Sequence, residues 1–304
     1  MHEHERRTES GDPLGLHGVV PPTVTAFHDD ESLDEQTTAA HARYVVDRGA
    51  HGVFPLGTNG EFPLLTPDER ERALDAVVTE VGGDVPVIAG VGAPSTRETV
   101  QNARAAADVG TDALVVVTPF YFPLDHDAAV THYRRVAEAT DLPVYIYHIP
   151  GRTGNALSLD TLADLASIEN VAGLKDSSKD VPWLTQAIDA NPNLTFFVGS
   201  DSLLFSGLSL GCHGMVSAVA NVFPELVCDL YDAHEAGDLS RSRDLQRTVF
   251  GVRRALKSGP YMAGVKTALR LRGFDAGPLR SPLRTMDDAQ QASLESKLSE
   301  LELL

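Results

Sequence analysis

The chain has 304 residues, 42% of them hydrophobic, and a formal net charge of −18 from 43 acidic and 25 basic residues. That length suits one large domain or two small ones, and the acidic balance argues against a nucleic-acid partner, whose phosphates demand a basic footprint. The longest apolar runs, such as Ala113–Val117, are strand-length, far short of the ~20 residues of a membrane span, so no membrane partner is expected.

Met1–Asp12 is polar, lacks apolar periodicity and has no apolar stretch after its charges, so it reads as a disordered acidic tail and not a signal peptide. Its His2-Glu3-His4 has metal-binding side chains but no second ligand cluster beside it, and it is taken as part of the tail. Nothing from Gly18 onward resembles a linker. The expectation is therefore one domain, with a barrel core over 13–225 and a last barrel helix plus C-terminal helices over 226–304 packed on it.

Short β-branched runs alternate with helical stretches along this domain. Strands are expected at Val19–Thr25, Gly52–Phe54, Val85–Ala89, Ala113–Thr118, Val144–Ile149, Val171–Leu174, Thr195–Val198 and Gly214–Val219. Each gap holds one crossover helix and its loops. Leu33-Asp34 precedes a helix over Glu35–Arg48. Thr66, Pro67 and Glu69 form a capping box opening a helix that runs to Val81, and Ser95 precedes Thr96–Val109. Gly49, Gly110 and Gly211 follow helical runs where a C-cap wants positive φ. Three further helical stretches, about Leu239–Lys257, Gly259–Arg272 and Asp287–Leu301, form a C-terminal helical extension. Several strands are apolar on both faces, as in a parallel sheet under helices. The fold class is thus α/β, a (β/α)8 TIM barrel with that extension. An open doubly wound sheet is the alternative, but no G-x-G-x-x-G follows the first strand.

In such barrels the active site lies at the C-terminal ends of the strands. Lys175 closes the apolar run Val171–Leu174 in a chain with only five lysines. Apolar surroundings lower a lysine's pKa, and only the neutral amine attacks a carbonyl to form an imine. The plainer reading is a strand-end lysine reaching water or paired with Asp176. Tyr147, on the neighbouring strand, supplies a phenol for proton transfer, and Thr58 a hydroxyl relay to it. Glycines around Thr58 and Asn59 let backbone N–H groups approach a carboxylate. Singly, a strand-end tyrosine is ordinary packing and G-x-x-G-E an ordinary turn. Together they describe a Schiff-base site. Of the eleven histidines only His148 is on a strand end near it, as support or packing, so a metal-dependent aldolase is not expected. Cys212 and Cys228 form no metal or redox spacing and read as small buried hydrophobes in a reducing compartment.

Three segments, GTNGE at Gly57–Glu61, YHIPGRTG at Tyr147–Gly154 and GLKDSS at Gly173–Ser178, resemble the signatures of the dihydrodipicolinate synthase/N-acetylneuraminate lyase family, class I pyruvate-dependent aldolases. The resemblance runs from about Gly18 to Leu283. It implies that Lys175 forms a Schiff base with pyruvate or a 2-oxo acid, with no cofactor and no metal. By the same resemblance Tyr147 is the general acid/base, and Thr58 belongs to the proton relay. Tyr121 matches a relay tyrosine contributed across a tight dimer interface. Asn59 helps Thr58 hold the pyruvate carboxylate, Val216 lines the pyruvate pocket, and Arg152 matches the arginine that binds the second substrate's carboxylate. It also implies a homotetramer built as a dimer of dimers.

Departures point within the family. Asn59 stands where synthases usually have threonine, His148 where they have asparagine, and Gly199-Ser200-Asp201 replaces a Gly-Asp-Asp turn. That turn, with GTNGEFPLL at Gly57–Leu65 and the Pro21-Pro22 opening, looks more like the 2-keto-3-deoxy sugar acid and 4-hydroxy-2-oxoglutarate aldolases. The expected function is a lyase cleaving such a 4-hydroxy-2-oxo acid to pyruvate and a small aldehyde. Arg152 keeps open the alternative of a 4-hydroxy-tetrahydrodipicolinate synthase condensing pyruvate with aspartate semialdehyde, and a related dehydratase or lyase is a third possibility. It is otherwise a surface arginine. A catalytically silent binding barrel would have lost the nucleophile or the relay, and both residue types are present. The low lysine count and acidic surface fit a halophilic, high-salt cytoplasm; an ordinary acidic bacterial enzyme is the duller alternative.

Overall fold

β-branched and aromatic runs make the strands and capped amphipathic runs make the helices. The computed structural model describes residues 12–304; the expected tail over 1–11, with its His-Glu-His, lies outside the described residues. Seven strands pair in parallel: β1 Gly18–Val19, β2 Ile88–Gly90, β3 Ala113–Val117, β4 Val144–His148, β5 Val171–Asp176, β6 Thr195–Val198 and β7 Gly214–Met215. Their order is β1-β7-β6-β5-β4-β3-β2.

Segment 51–55 lies between the two outermost strands. The N–H groups of His51 and Phe54 donate to the carbonyls of Val19 and Pro21 at 2.8 and 2.9 Å, while Val53 N–H donates to Pro86 O at 2.9 Å and Val53 O accepts from Ile88 N–H at 2.9 Å. Only Val53↔Val87 counts as a bridge there. The expected strands at Val19–Thr25, Gly52–Phe54 and Val85–Ala89 are shortened because Pro21, Pro22, Pro55 and Pro86 have no N–H to give a ladder. The run expected to end at Val219 stops at Met215, since Ser217 turns to donate to Asp201 Oδ1 at 2.6 Å and a 3-10 turn follows over Val219–Asn221. Conversely, β5 continues past Leu174 through Lys175 to Asp176, paired on both sides.

Among the described residues, twelve helices flank the sheet. The first seven are α1 Glu35–Val46, α2 Pro67–Val81, α3 Thr96–Val109, α4 His126–Ala137, the one-turn α5 Pro150–Thr153, α6 Leu159–Ala166 and α7 Val181–Ala190. The others are α8 Leu204–Ser209, α9 Pro224–Glu235, α10 Leu239–Leu256, α11 Tyr261–Leu271 and α12 Asp288–Glu300. Thr66 and Glu69 form the expected capping box on α2, and Ser95 caps α3 through Glu98 N–H. Gly49, Gly110 and Gly211 have φ of 94°, 90° and 101°, the left-handed geometry that glycine adopts without steric cost.

Alternation along the strands divides the core into two layers. Val115, Val117, Tyr145, Tyr147, Phe197 and Val216 pack together on the inner face. Leu114, Val116, Ile146, Leu174, Phe196 and Met215 face the helices, in one cluster with Val252, Leu256, Val265, Leu269 and Leu298 of the C-terminal helices. Assigning Asp12 to a disordered tail was wrong. The residue is 8% exposed, its Oδ2 accepts a 2.5 Å hydrogen bond from the Tyr145 hydroxyl, and it also accepts from Leu14 and Leu16 N–H. A buried phenol needs an acceptor, and Asp12 supplies it.

Candidate active site

Lys175 occupies the inner face near the end of β5, directly across from Tyr147 on β4 and Phe197 on β6. It is 6% exposed. Its Nζ lies 3.3 Å from the centre of the Tyr147 ring and 5.6 Å from that of Phe54. Burial pushes the ammonium's pKa below its ordinary value; Tyr147, Asp176 and Asp201 oppose that shift without reversing it. For the Tyr147 phenol, burial acts upward. The Lys175 charge and hydrogen bonding from Lys175, Thr58 and Ser177 outweigh it, so the net direction is down. The two groups are coupled: the phenol is held down only while Lys175 is charged. Tyr147 Oη and Thr58 Oγ1 are 3.4 Å apart, at the long limit of a hydrogen bond. The lysine is not in the Asp176 pair that the plainer reading allowed. Asp176 points to the outer face, where its Oδ1 is 2.9 Å from His148 Nδ1. Leu157 N–H donates to His148 Nε2 at 3.2 Å, which leaves Nδ1 as the nitrogen that faces the carboxylate as donor. His148 supports the strand end from behind.

The Gly57–Glu61 turn carries Thr58 and Asn59 to the inner face. Thr25 Oγ1 donates to Gly60 O at 2.7 Å, and a β-carbon on Gly60 would sit 3.2 Å from Thr23 O. Glu61 has φ of 54° and is anchored at its buried carboxylate, 3.0 Å from Lys266 Nζ of α11 and 3.0 Å from the Arg280 N–H that donates to it. A left-handed glutamate costs of order 1 kcal/mol, and this anchorage offsets it. The C-terminal part of the chain thus fixes the turn that carries Thr58.

Lys175, Tyr147, Thr58, Asn59, Arg152 and Val216 all line one cavity of about 380 Å³. Tyr121 does not; it is 85% exposed, has φ of 82° and packs edge-on against Phe122 at 4.9 Å. Ser177, Lys179, Ser200, Asp201, Arg253, Lys257 and Tyr261, to which the sequence assigned no role, also line the wall. Asp201 is committed to structure, accepting from Ser217 Oγ and, at 2.9 Å, from the Tyr261 hydroxyl. Ser200 is 6% exposed, and its Oγ finds no hydrogen-bond partner among the described residues. The Gly199-Ser200-Asp201 turn had pointed to that position, whereas nothing local in the sequence of α10 or α11 tied Arg253, Lys257 or Tyr261 to a strand end. Among the described residues no three His, Cys, Asp or Glu side chains converge as metal ligands. Among the described residues no helix is long and apolar enough to cross a membrane. Both cysteines are buried, and burial pushes the Cys228 thiol up to about 12.

Comparison with known proteins returns the same family from sequence and from shape. Residues 15–301 match the Dihydrodipicolinate synthetase family. An uncharacterized DapA-like lyase of Halobacterium salinarum is 70% identical over the full length of both chains. The 4-hydroxy-tetrahydrodipicolinate synthase of Methanopyrus kandleri is 36% identical, the alignment covering 95% of this chain and 97% of that one. Among solved structures, YagE of Escherichia coli K12, a prophage protein of the dihydrodipicolinic acid synthase family in complex with pyruvate, superposes with a TM-score of 0.91. It is 30% identical, with 95% of this chain and 99% of that one covered.

Proposed function

The chain belongs to the dihydrodipicolinate synthetase family, and from that premise we propose that it is a class I aldolase that cleaves a 4-hydroxy-2-oxo acid, of the 2-keto-3-deoxy sugar acid or 4-hydroxy-2-oxoglutarate type, to pyruvate and an aldehyde. One observation carries the reading: a buried lysine with a lowered pKa, 3.3 Å from the ring of a tyrosine that faces a threonine hydroxyl, on the wall of a cavity. The neutral Lys175 amine adds to the C2 carbonyl and water leaves, giving an iminium. Tyr147 takes the proton of the C4 hydroxyl through Thr58, the C3–C4 bond breaks, and its electron pair moves into the iminium to leave an enamine and free aldehyde. Protonation at C3 and hydrolysis release pyruvate and restore the amine. No metal or cofactor enters these steps. Thr58 and Asn59 hold the pyruvate carboxylate, and Val216 packs against its methyl end.

The unpartnered Ser200 hydroxyl favours the aldolase, since a buried polar atom without a partner costs about 1–3 kcal/mol and a sugar hydroxyl supplies one. Arg152 on the cavity wall favours the second reading, a 4-hydroxy-tetrahydrodipicolinate synthase, the activity named for the Methanopyrus relative. Exposed Tyr121 fits a relay residue donated to a neighbouring subunit, in a homotetramer whose closed sheet takes segment 51–55 as its eighth strand. The acidic, lysine-poor composition fits a high-salt cytoplasm. The deciding experiment is borohydride reduction with pyruvate. Inactivation with a stable adduct on Lys175, absent in Lys175→Ala, is expected and should be indifferent to EDTA. Full activity of the treated enzyme or of Lys175→Ala ends the proposal.

A further inference from the structure

The register that sets Lys175 opposite Tyr147 sets Asp176 opposite His148 one residue further on. The first pair faces the cavity and the second faces the helices, as alternation along a strand requires. Both outer residues are buried, and neither lines the cavity. Asp176 Oδ1 accepts from His148 Nδ1 at 2.9 Å and from Ser178 N–H at 3.1 Å, and Oδ2 accepts from the Ser178 hydroxyl at 2.9 Å. His148 also accepts from Leu157 N–H, and its ring centre is 4.4 Å from that of Trp183 on α7. Main-chain bonds close the same corner: Ser177 N–H donates to His148 O at 2.8 Å, and Gly199 N–H to Asp176 O at 2.6 Å.

A buried carboxylate is costly unless its lone pairs are filled and its charge is balanced. Donors fill the lone pairs of Asp176, and its ion-pair contact among the described residues is with His148. The cation that feels its charge is the preceding residue, Lys175. Tyr147 from β4, Asp176 from β5 and Asp201 from the turn after β6 are the groups that favour the ammonium against burial. Asp201 is already engaged by Ser217 and Tyr261, and Arg152, Lys179, Arg253 and Lys257 belong to the rest of the cavity wall.

Imine formation makes a cation from a neutral amine. The amine lone pair adds to the C2 carbonyl, the carbinolamine takes one proton from Tyr147 and loses water, and the nitrogen is left as an iminium. A fixed negative charge behind that nitrogen, shielded from water at 2% exposure, favours the cation as it develops. We propose that His148 and Asp176 are positioning residues for imine formation: their hydrogen bond locks the ends of β4 and β5 in the register that holds Lys175 against Tyr147, and the Asp176 carboxylate balances the iminium formed on Lys175. The assignment rests on the Schiff-base reading of Lys175 and adds to it two residues that do not meet the substrate.

The test uses pyruvate alone and two readouts: cyanoborohydride trapping across a pH series, and exchange of the pyruvate methyl protons in D2O, which needs the iminium to lose and regain a proton at C3. Salt is kept near 1 M, where the screening length of ~3 Å silences surface carboxylates and leaves the buried one. Asp176→Asn keeps the side chain's size and an oxygen for His148 while removing the charge. Its trapping midpoint should move to lower pH, because the ammonium loses a charge that favoured it. Above that midpoint the pyruvate concentration for half-maximal trapping should rise roughly tenfold. A carboxylate that only held the fold together would leave the midpoint in place. His148→Leu should slow methyl exchange at saturating pyruvate by about ten- to hundredfold. His148→Asn, whose amide donates from the position of Nδ1, should recover most of that loss. If Asp176→Asn does not fold, Asp176→Ser is equally uncharged and carries the same expected direction, and the His148 series reads the register independently of both. An unmoved or raised midpoint without the carboxylate, wild-type exchange in His148→Leu, or equal losses in the leucine and asparagine variants overturns the role of the pair. Each of these leaves the Schiff base standing, provided that the wild type traps pyruvate. Failure of the wild type to trap it removes the Schiff-base reading, and the role of the pair with it.

Discussion

Replacing Tyr147 by phenylalanine separates the two tasks assigned to the tyrosine. The ring that lies 3.3 Å from Lys175 Nζ stays, so the cation–π contact survives and the cavity wall keeps its shape. Only the hydroxyl goes, with its 3.4 Å contact to Thr58 and its hydrogen bond to the lysine. If that hydroxyl moves the proton of the C4 hydroxyl, kcat should fall by about 10²–10⁴, or roughly 3–5 kcal/mol of transition-state stabilisation. The lysine responds in a direction fixed by its surroundings. The phenol oxygen favours the charged ammonium, so its loss moves the Lys175 pKa further below the ordinary value, and the neutral amine appears at lower pH. Cyanoborohydride trapping of pyruvate across a pH series should therefore show its midpoint displaced downward in Tyr147→Phe. The displacement should be larger in Tyr147→Leu, which lacks the ring as well. Turnover and imine formation thus respond in different ways to one substitution. Unchanged kcat refutes the proton-transfer role, and a midpoint displaced upward refutes the account of why the lysine is nucleophilic.

Two further substitutions probe the frame around that pair. At Gly199 a β-carbon would collide first with Ser177 Oγ and would sit 2.9 Å from Lys175 Cε and 2.9 Å from Asp176 O. Gly199→Ala is therefore expected to displace the lysine and lower kcat by about ten- to hundredfold, with slower pyruvate trapping. Trapping and turnover at the wild-type level would show that the strand end has slack. Asp12→Ala leaves the Tyr145 hydroxyl without its acceptor two residues before Tyr147 along β4, and should cost about 1.5–3 kcal/mol. A thermal melt should fall by about 3–8 °C with kcat unaltered; an unshifted melt would mean that the N-terminal segment is not held by this bond.

Much of the fold was legible because helix capping is local chemistry. Thr66-Pro67-Asp68-Glu69 and Ser95 start helices where their side chains meet N–H groups three residues on, and glycine after α3 adopts the expected left-handed geometry. Strand extent was less legible because it depends on partners. Four prolines strip donors from the segments around Val19, Val53 and Val87, so apolar runs of strand length there pair over only one to three residues. Asp12 was misplaced for a related reason. A lone aspartate among polar residues reads as solvated tail, and its acceptor role depends on a tyrosine 133 residues away.

The same distinction governs the site. Lys175, Tyr147 and Thr58 stand out because each closes or follows a strand, and in a parallel barrel those ends converge whatever the loops do. Arg253, Lys257 and Tyr261 belong to helices beyond the last strand, and their route to the cavity runs through the anchorage of the C-terminal part on Glu61 and the packing of α10 and α11 against the sheet. Composition held an indirect trace of them. Three of the chain's five lysines line this one cavity. An imine needs one lysine alone. The other two, Lys179 and Lys257, stand exposed on its solvent side, where loop and helix positions, and not strand ends, decide what reaches the cavity.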